Sequence, residues 1–122
     1  MDVTIYHNPA CSKSRETLAL LRARGIEPTV IEYLKTPPSF EEIDSLLTKL
    51  GKEPRDVIRK SEDEYKALGL SDPSLTREEL IRAMAESPRL IERPIVVAGE
   101  RAALGRPPEN VLTLLEEIEK HC

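Results

Sequence analysis

Strand-forming runs lie toward the two ends of this chain, with a long stretch of helical periodicity between them, and that order narrows the possible folds more than any other feature. Val3-Thr4-Ile5-Tyr6 is a short β-branched run. A helical stretch beginning at Glu16-Thr17-Leu18 follows it, with Leu18 and Leu21 on one face and Gly25 as its stop. Thr29-Val30-Ile31-Glu32-Tyr33 reads as a second strand, and since a parallel neighbour needs a crossover, these segments make a β-α-β unit. Toward the other end, Ile95-Val96-Val97-Ala98 and Ala102-Ala103-Leu104 flank Gly99-Glu100-Arg101, the pattern of a hairpin. A last helix opens after Pro107-Pro108, with Val111, Leu114, Leu115 and Ile118 at i, i+3, i+4 and i+7.

Between these ends, Ser39-Phe40-Glu41-Glu42 has the form of a capping box and leads into Ile43, Leu46, Leu47 and Leu50, one apolar helical face. Pro54 to Lys60 and Glu62 to Leu68 read as two short helices. Thr76-Arg77-Glu78-Glu79 caps a further helix carrying Leu80, Ile81 and Met84 before Pro88. The order β-α-β, helical block at about 39–87, β-β-α predicts an α/β fold whose four-stranded mixed sheet carries helices on its faces. A length of 122 residues fits a single domain, 1–122, with the block inserted in it.

Composition removes several function classes. The net charge is -4 with no long like-charge block, and one Phe, three Tyr and no Trp supply little for base stacking, so nucleic acid is not an expected partner. No apolar stretch approaches the ~18 residues of a membrane span, and the chain enters its first strand without an apolar leader, which predicts no membrane association and a cytoplasmic location. Two cysteines, Cys11 and Cys122, are too few for a disulfide framework and suit a reducing compartment. Cys11, Cys122, His7 and His121 lack the close spacings of zinc sites, and there is no Gly-rich nucleotide loop, so no metal is expected.

The residues that carry chemistry centre on Cys11, in the run His7-Asn8-Pro9-Ala10-Cys11-Ser12-Lys13-Ser14-Arg15 between the first strand and the first helix. The macrodipole and unpaired N–H groups of a helix N-terminus favour the thiolate over the thiol, and Lys13, Arg15 and His7 add positive charge. A free thiol of pKa about 8.5 is only ~3% ionised at pH 7, whereas a fall of ~2 units makes the nucleophilic thiolate the majority species. Ser14 stands where a second cysteine would close a local disulfide, leaving a monothiol Cys-x-x-Ser pattern. Position 17 is Thr where a phosphatase loop of Cys, five residues and Arg needs the Arg. On sequence grounds blander roles stay open. Cys11 fits an inert core residue, His7 a backbone-bonded strand end, Ser14 a helix cap, and Arg59 a solvated helix face shared with Arg55 and Lys60.

Taken together, Tyr6 through Arg15, Ile58-Arg59-Lys60, Arg93-Pro94-Ile95-Val96-Val97 and Gly105-Arg106-Pro107 resemble the ArsC-type arsenate reductases that use glutathione and glutaredoxin. The resemblance runs in order through nearly the whole chain. It implies a thioredoxin-like fold, with Cys11 as nucleophile and Arg59, Arg93 and Arg106 holding the oxyanion. It further implies His7 and Ser14 near the thiolate and Pro94 as a cis proline before a core strand; Arg15, a first-turn charge beside Cys11, is a second-tier candidate on the residues alone. Arsenate is the implied substrate, glutathione the co-substrate without any tightly bound cofactor, and glutaredoxin the protein partner. Arginine suits such a pocket because its planar fork makes two parallel charge-assisted hydrogen bonds to a tetrahedral oxyanion and stays protonated beside a thiolate. Cys122 has no counterpart in this pattern and is expected to be an incidental thiol. Two other functions fit the same fold. One is a redox-sensing regulator that binds RNA polymerase, although such regulators carry Cys-x-x-Cys. The other is a monothiol glutathione-dependent oxidoreductase with a different substrate.

Overall fold

A computed structural model describes residues 2–120, with side chains through 117. Val3, Ile5 and His7 are buried while Thr4 and Tyr6 are half-buried, the two-residue alternation of a strand packed on one face; this is β1, Val3–His7. The first helix, α1, covers Ser12–Ala23, and β2, Thr29–Glu32, returns parallel to β1 with Ile5 opposite Val30. Four helices follow: α2 Phe40–Leu50, α3 Pro54–Val57, α4 Asp63–Ala67 and α5 Arg77–Glu86, then a 3-10 turn at Pro88–Leu90. The chain closes with β3 Ile95–Ala98, β4 Arg101–Leu104 and α6 Asn110–Lys120.

The expected mixed sheet is present, with strand order β2-β1-β3-β4 and antiparallel pairing of β1 with β3 and of β3 with β4. Its hairpin is tighter than the sequence suggested. Gly99 and Glu100 alone form the turn, Arg101 already belongs to β4, and Gly99 takes the positive φ of 64° that a II′ turn demands at its first position. Val3, Ile5, Val96 and Ala98 on one sheet face pack with Leu21 of α1 and Val111, Leu114 and Leu115 of α6. Burying a side chain such as Leu21 removes it from water at a gain of about 1.5–3 kcal/mol, so this cluster anchors both helices to the sheet. The Ile118 side chain, expected on the same stripe, lies outside the described residues, as do His121 and Cys122.

Two compact units make up the chain: one takes in the segment to Thr36 and everything from Arg93 onward, the other is Pro37–Glu92. In the second unit α2 packs on α5, with Ile43, Leu46, Leu47, Leu80, Ile81 and Met84 all buried, and both predicted capping boxes are formed. Two boundaries differ from the sequence reading. The helix expected over Pro54 to Lys60 stops at Val57, because buried Ile58 turns extended and pairs with Ile91. The first helix begins at Ser12 rather than Glu16, so polar Ser12, Lys13 and Ser14, which show no apolar period, form its first turn.

Candidate active site

The early start of α1 makes Cys11 itself the N-cap, in extended backbone, with no side chain capping the helix. The cysteine sulfur thus sits at the N-terminus of α1. The backbone N–H groups of Ser14 and Lys13, in the first turn that follows, favour negative charge on the sulfur. On the other side, Arg106 Nη1 lies 3.9 Å from Cys11 Sγ and also donates to the Arg93 carbonyl at 3.0 Å. Partial burial pushes the thiol pKa up; the Ser14 and Lys13 N–H groups, then the hydrogen bond and charge of Arg106, outweigh it, and the net shift is downward.

The loop that presents the sulfur is held from within. Asn8 is buried; its carbonyl accepts from the Cys11 N–H at 3.0 Å and its Oδ1 accepts from the Ala10 N–H at 3.0 Å. Its own N–H donates to Ser14 Oγ, also at 3.0 Å. Ser14, fully buried, sits 2.6 Å from His7 Nδ1. The Ser14 oxygen therefore links the Asn8 N–H to the His7 ring nitrogen Nδ1. Burial lowers the His7 pKa; Glu32 opposes this, and Arg22 and Arg15 add to it, so the imidazole stays neutral.

These contacts correct the electrostatic expectation for Cys11. Its positive charge comes from Arg106, since His7 is neutral, Lys13 Nζ faces Glu16 at 3.7 Å, and Arg15 Nη1 donates to the Pro9 carbonyl at 2.9 Å. Lys13 contributes through its backbone, and Arg15 acts as a tie across the loop. Ser14 is not the helix cap: its N–H serves the sulfur while its hydroxyl serves His7 and Asn8.

Of the three expected pocket arginines, Arg93 and Arg106 belong to the same unit as Cys11; Arg93 is buried and Arg106 exposed. Arg59 belongs to the second unit, where Nη1 pairs with Glu62 at 3.2 Å, and it follows Ile58 rather than sharing a helix face with Arg55. Arg55 instead donates to the carbonyls of Leu70 and Asp72. The Arg93-Pro94 bond is cis, as the resemblance implied, and Arg106-Pro107 is cis as well. Asn8 and Gly105 were missed as site residues. Nothing in an Asn-Pro pair or a lone Gly reveals a long-range contact, although their positions three before the cysteine and one before Arg106 were available signals.

Among the described residues no group of three or more His, Cys, Asp or Glu side chains could hold a metal, and no helix is long and apolar enough to cross a membrane. What the site offers is an ionisable sulfur facing two N–H donors and a guanidinium, the components of an anion-binding nucleophile.

The arsenate reductase of Rhizobium meliloti is 52% identical over 120 residues, covering 98% of this chain and 86% of that protein. Escherichia coli YfgD, described as uncharacterized, is 54% identical over 114 residues, covering 93% and 96% of the two chains. The solved structure of an arsenate reductase from Vibrio cholerae matches with a TM-score of 0.91 and 57% identity, over 93% of this chain and 97% of that one. The sheet with its flanking helices is accordingly the thioredoxin-like arrangement of these relatives. The ArsC family model matches residues 6–114, a span that runs from the strand before Cys11 through Arg106 into α6, and this chain belongs to the ArsC family.

Proposed function

We propose that the protein reduces arsenate to arsenite, with Cys11 as nucleophile and glutathione and glutaredoxin as the sources of two electrons. The observation that carries this reading is the Cys11 sulfur set between the Ser14 and Lys13 N–H groups and Arg106. A thiolate and an oxyanion repel each other, so a nucleophile for arsenate needs that positive surround. The arsenate reductases of Rhizobium meliloti and Vibrio cholerae, alike in sequence along almost the whole chain, support the substrate.

In this scheme the thiolate attacks arsenic and one oxygen leaves as water after protonation, giving a Cys11–S–As(V) ester. The glutathione thiol replaces a second oxygen, again lost as water. A glutaredoxin thiolate then attacks the glutathione sulfur, and the S–As electron pair passes to arsenic, which becomes As(III) as glutaredoxin and glutathione form a mixed disulfide. Water cleaves the remaining S–As bond, returning the Cys11 thiolate and releasing arsenite. No tightly bound cofactor takes part. Arg106 and Arg93 hold the oxyanion, and Arg59 joins them on the strength of the family pattern. His7, Ser14, Arg15 and Pro94 shape the loop and its surroundings. Work with glutathione fits a cytoplasmic enzyme.

Purified protein with arsenate, glutathione and glutaredoxin is expected to produce arsenite, with Cys11→Ser abolishing turnover and Cys122→Ser leaving most of it. Turnover that survives Cys11→Ser refutes the assignment of the nucleophile. Reduction of a glutathione mixed disulfide without any arsenate reduction moves the chain to the oxidoreductase reading.

A further inference from the structure

Gly105 joins β4 to the loop carrying Arg106, and its backbone does not use the left-handed region, so its reason to be glycine is space. A Cβ at this position would stand 2.6 Å from Thr17 Oγ1, 3.1 Å from Thr17 Cγ2 and 2.7 Å from Pro94 Cγ. Neither neighbour can swing away. Thr17 is fully buried in α1 with its hydroxyl bonded to the Lys13 carbonyl at 2.8 Å, and Pro94 is a buried, closed ring. The Gly105 N–H donates to the Pro94 carbonyl at 2.9 Å, which pins the loop against this pair. One residue on, Arg106 bridges Cys11 Sγ and the Arg93 carbonyl.

We propose that Gly105 is a positioning residue: its missing side chain lets the β4–α6 loop close on α1 and Pro94, and that closure delivers the Arg106 guanidinium to the Cys11 sulfur. Any side chain at 105 lifts the loop by at least part of the overlap with Thr17 and Pro94, and the Arg106 to sulfur contact at 3.9 Å lengthens accordingly. Charge-assisted contacts weaken steeply with such displacement, and misplacement by about 1 Å can cost about a hundredfold in rate. The inference rests on the reading of Cys11 and Arg106 as the reactive pair.

The test is Gly105→Ala, read by the thiolate titration of Cys11 and by arsenate turnover, with Arg106→Ala as reference. The Cys11 titration midpoint is expected to rise by at least half of the rise that Arg106→Ala produces. In an Arg106→Ala background, Gly105→Ala should add nothing further. Turnover should fall about tenfold or more. Should the single variant not fold, the pair Gly105→Ala with Thr17→Ala, which leaves only the overlap with Pro94, is measured against Thr17→Ala alone and should show a smaller rise of the same sign. A folded variant with the wild-type midpoint, an additive shift in the Arg106→Ala background, or failure of both variants to fold overturns the proposal, since each shows the space serving something other than Arg106. A wild-type protein that does not reduce arsenate while Gly105→Ala still shifts the titration instead overturns the substrate and leaves the positioning role standing.

Discussion

Ser14 performs two separable tasks, and Ser14→Ala separates them. The hydroxyl is fully buried, accepts from the Asn8 N–H at 3.0 Å and meets His7 Nδ1 at 2.6 Å; alanine leaves both buried partners without this oxygen. An unsatisfied buried polar group costs about 1–3 kcal/mol, so two partners sum to about 2–4 kcal/mol after some relaxation. Against a typical domain stability of about 5–15 kcal/mol that is a large fraction, and for a chain of this length it corresponds to a Tm lowered by roughly 6–20 °C. The backbone N–H of residue 14 survives the substitution, so the donor to the Cys11 sulfur remains and iodoacetamide alkylation of Cys11 near neutrality should hold its wild-type rate within about twofold. Urea unfolding measures the first effect and alkylation kinetics the second. Ser12→Ala, in the same turn but exposed, is the control and should stay within about 0.5 kcal/mol. A Ser14→Ala loss below about 0.5 kcal/mol would refute the buried hydrogen-bond account.

Arg106→Ala should raise the pKa of Cys11 and weaken oxyanion binding, whereas Arg101→Ala, half-exposed on β4 and paired with Glu117, should leave both near wild type; equal losses in thiolate titrations and turnover assays would undo the assignment of the pocket. His7 has a folded-state pKa below its ordinary 6.5, so its neutral form contributes stability that is fully present above 6.5 and is lost as pH falls through the folded value, the unfolded chain taking up its proton first. Urea midpoints of wild type and His7→Gln should therefore converge between about pH 7.5 and about 5.5, and a pH-independent difference contradicts the buried neutral ring. Ser39→Ala removes the acceptor for the Glu42 N–H in the α2 capping box and should cost about 1 kcal/mol by chemical denaturation.

Much of this fold was legible because it rests on local rules. Ser39 and Thr76 announced their helices through reciprocal caps, and Ile43, Leu46 and Leu47 or Val111, Leu114 and Leu115 announced buried faces through their spacing. The start of α1 was hidden, since Ser12-Lys13-Ser14 has no apolar period and a cysteine is not a side chain that usually caps. The end of α3 was hidden for a different reason: Ile58 leaves the helix to pair with Ile91, a residue far along the chain. The site divides the same way. Cys11 at a strand-to-helix turn carries its own signal, while the pairing of Ser14 with His7, the contact of Arg106 with Cys11 and the crowding around Gly105 exist only once distant segments meet. Charge near Cys11 in sequence proved a poor guide, because Lys13 and Arg15 turn to Glu16 and to the Pro9 carbonyl.

The most direct measurement is the ultraviolet thiolate titration of the folded protein, with Cys11→Ser subtracted so that only the sulfur at position 11 is read. Two helix N–H donors and the Arg106 guanidinium predict a midpoint below the value of about 8.5 for a free cysteine. A midpoint at or above that value, in a folded sample, would contradict the anion-stabilising environment on which the proposed chemistry depends.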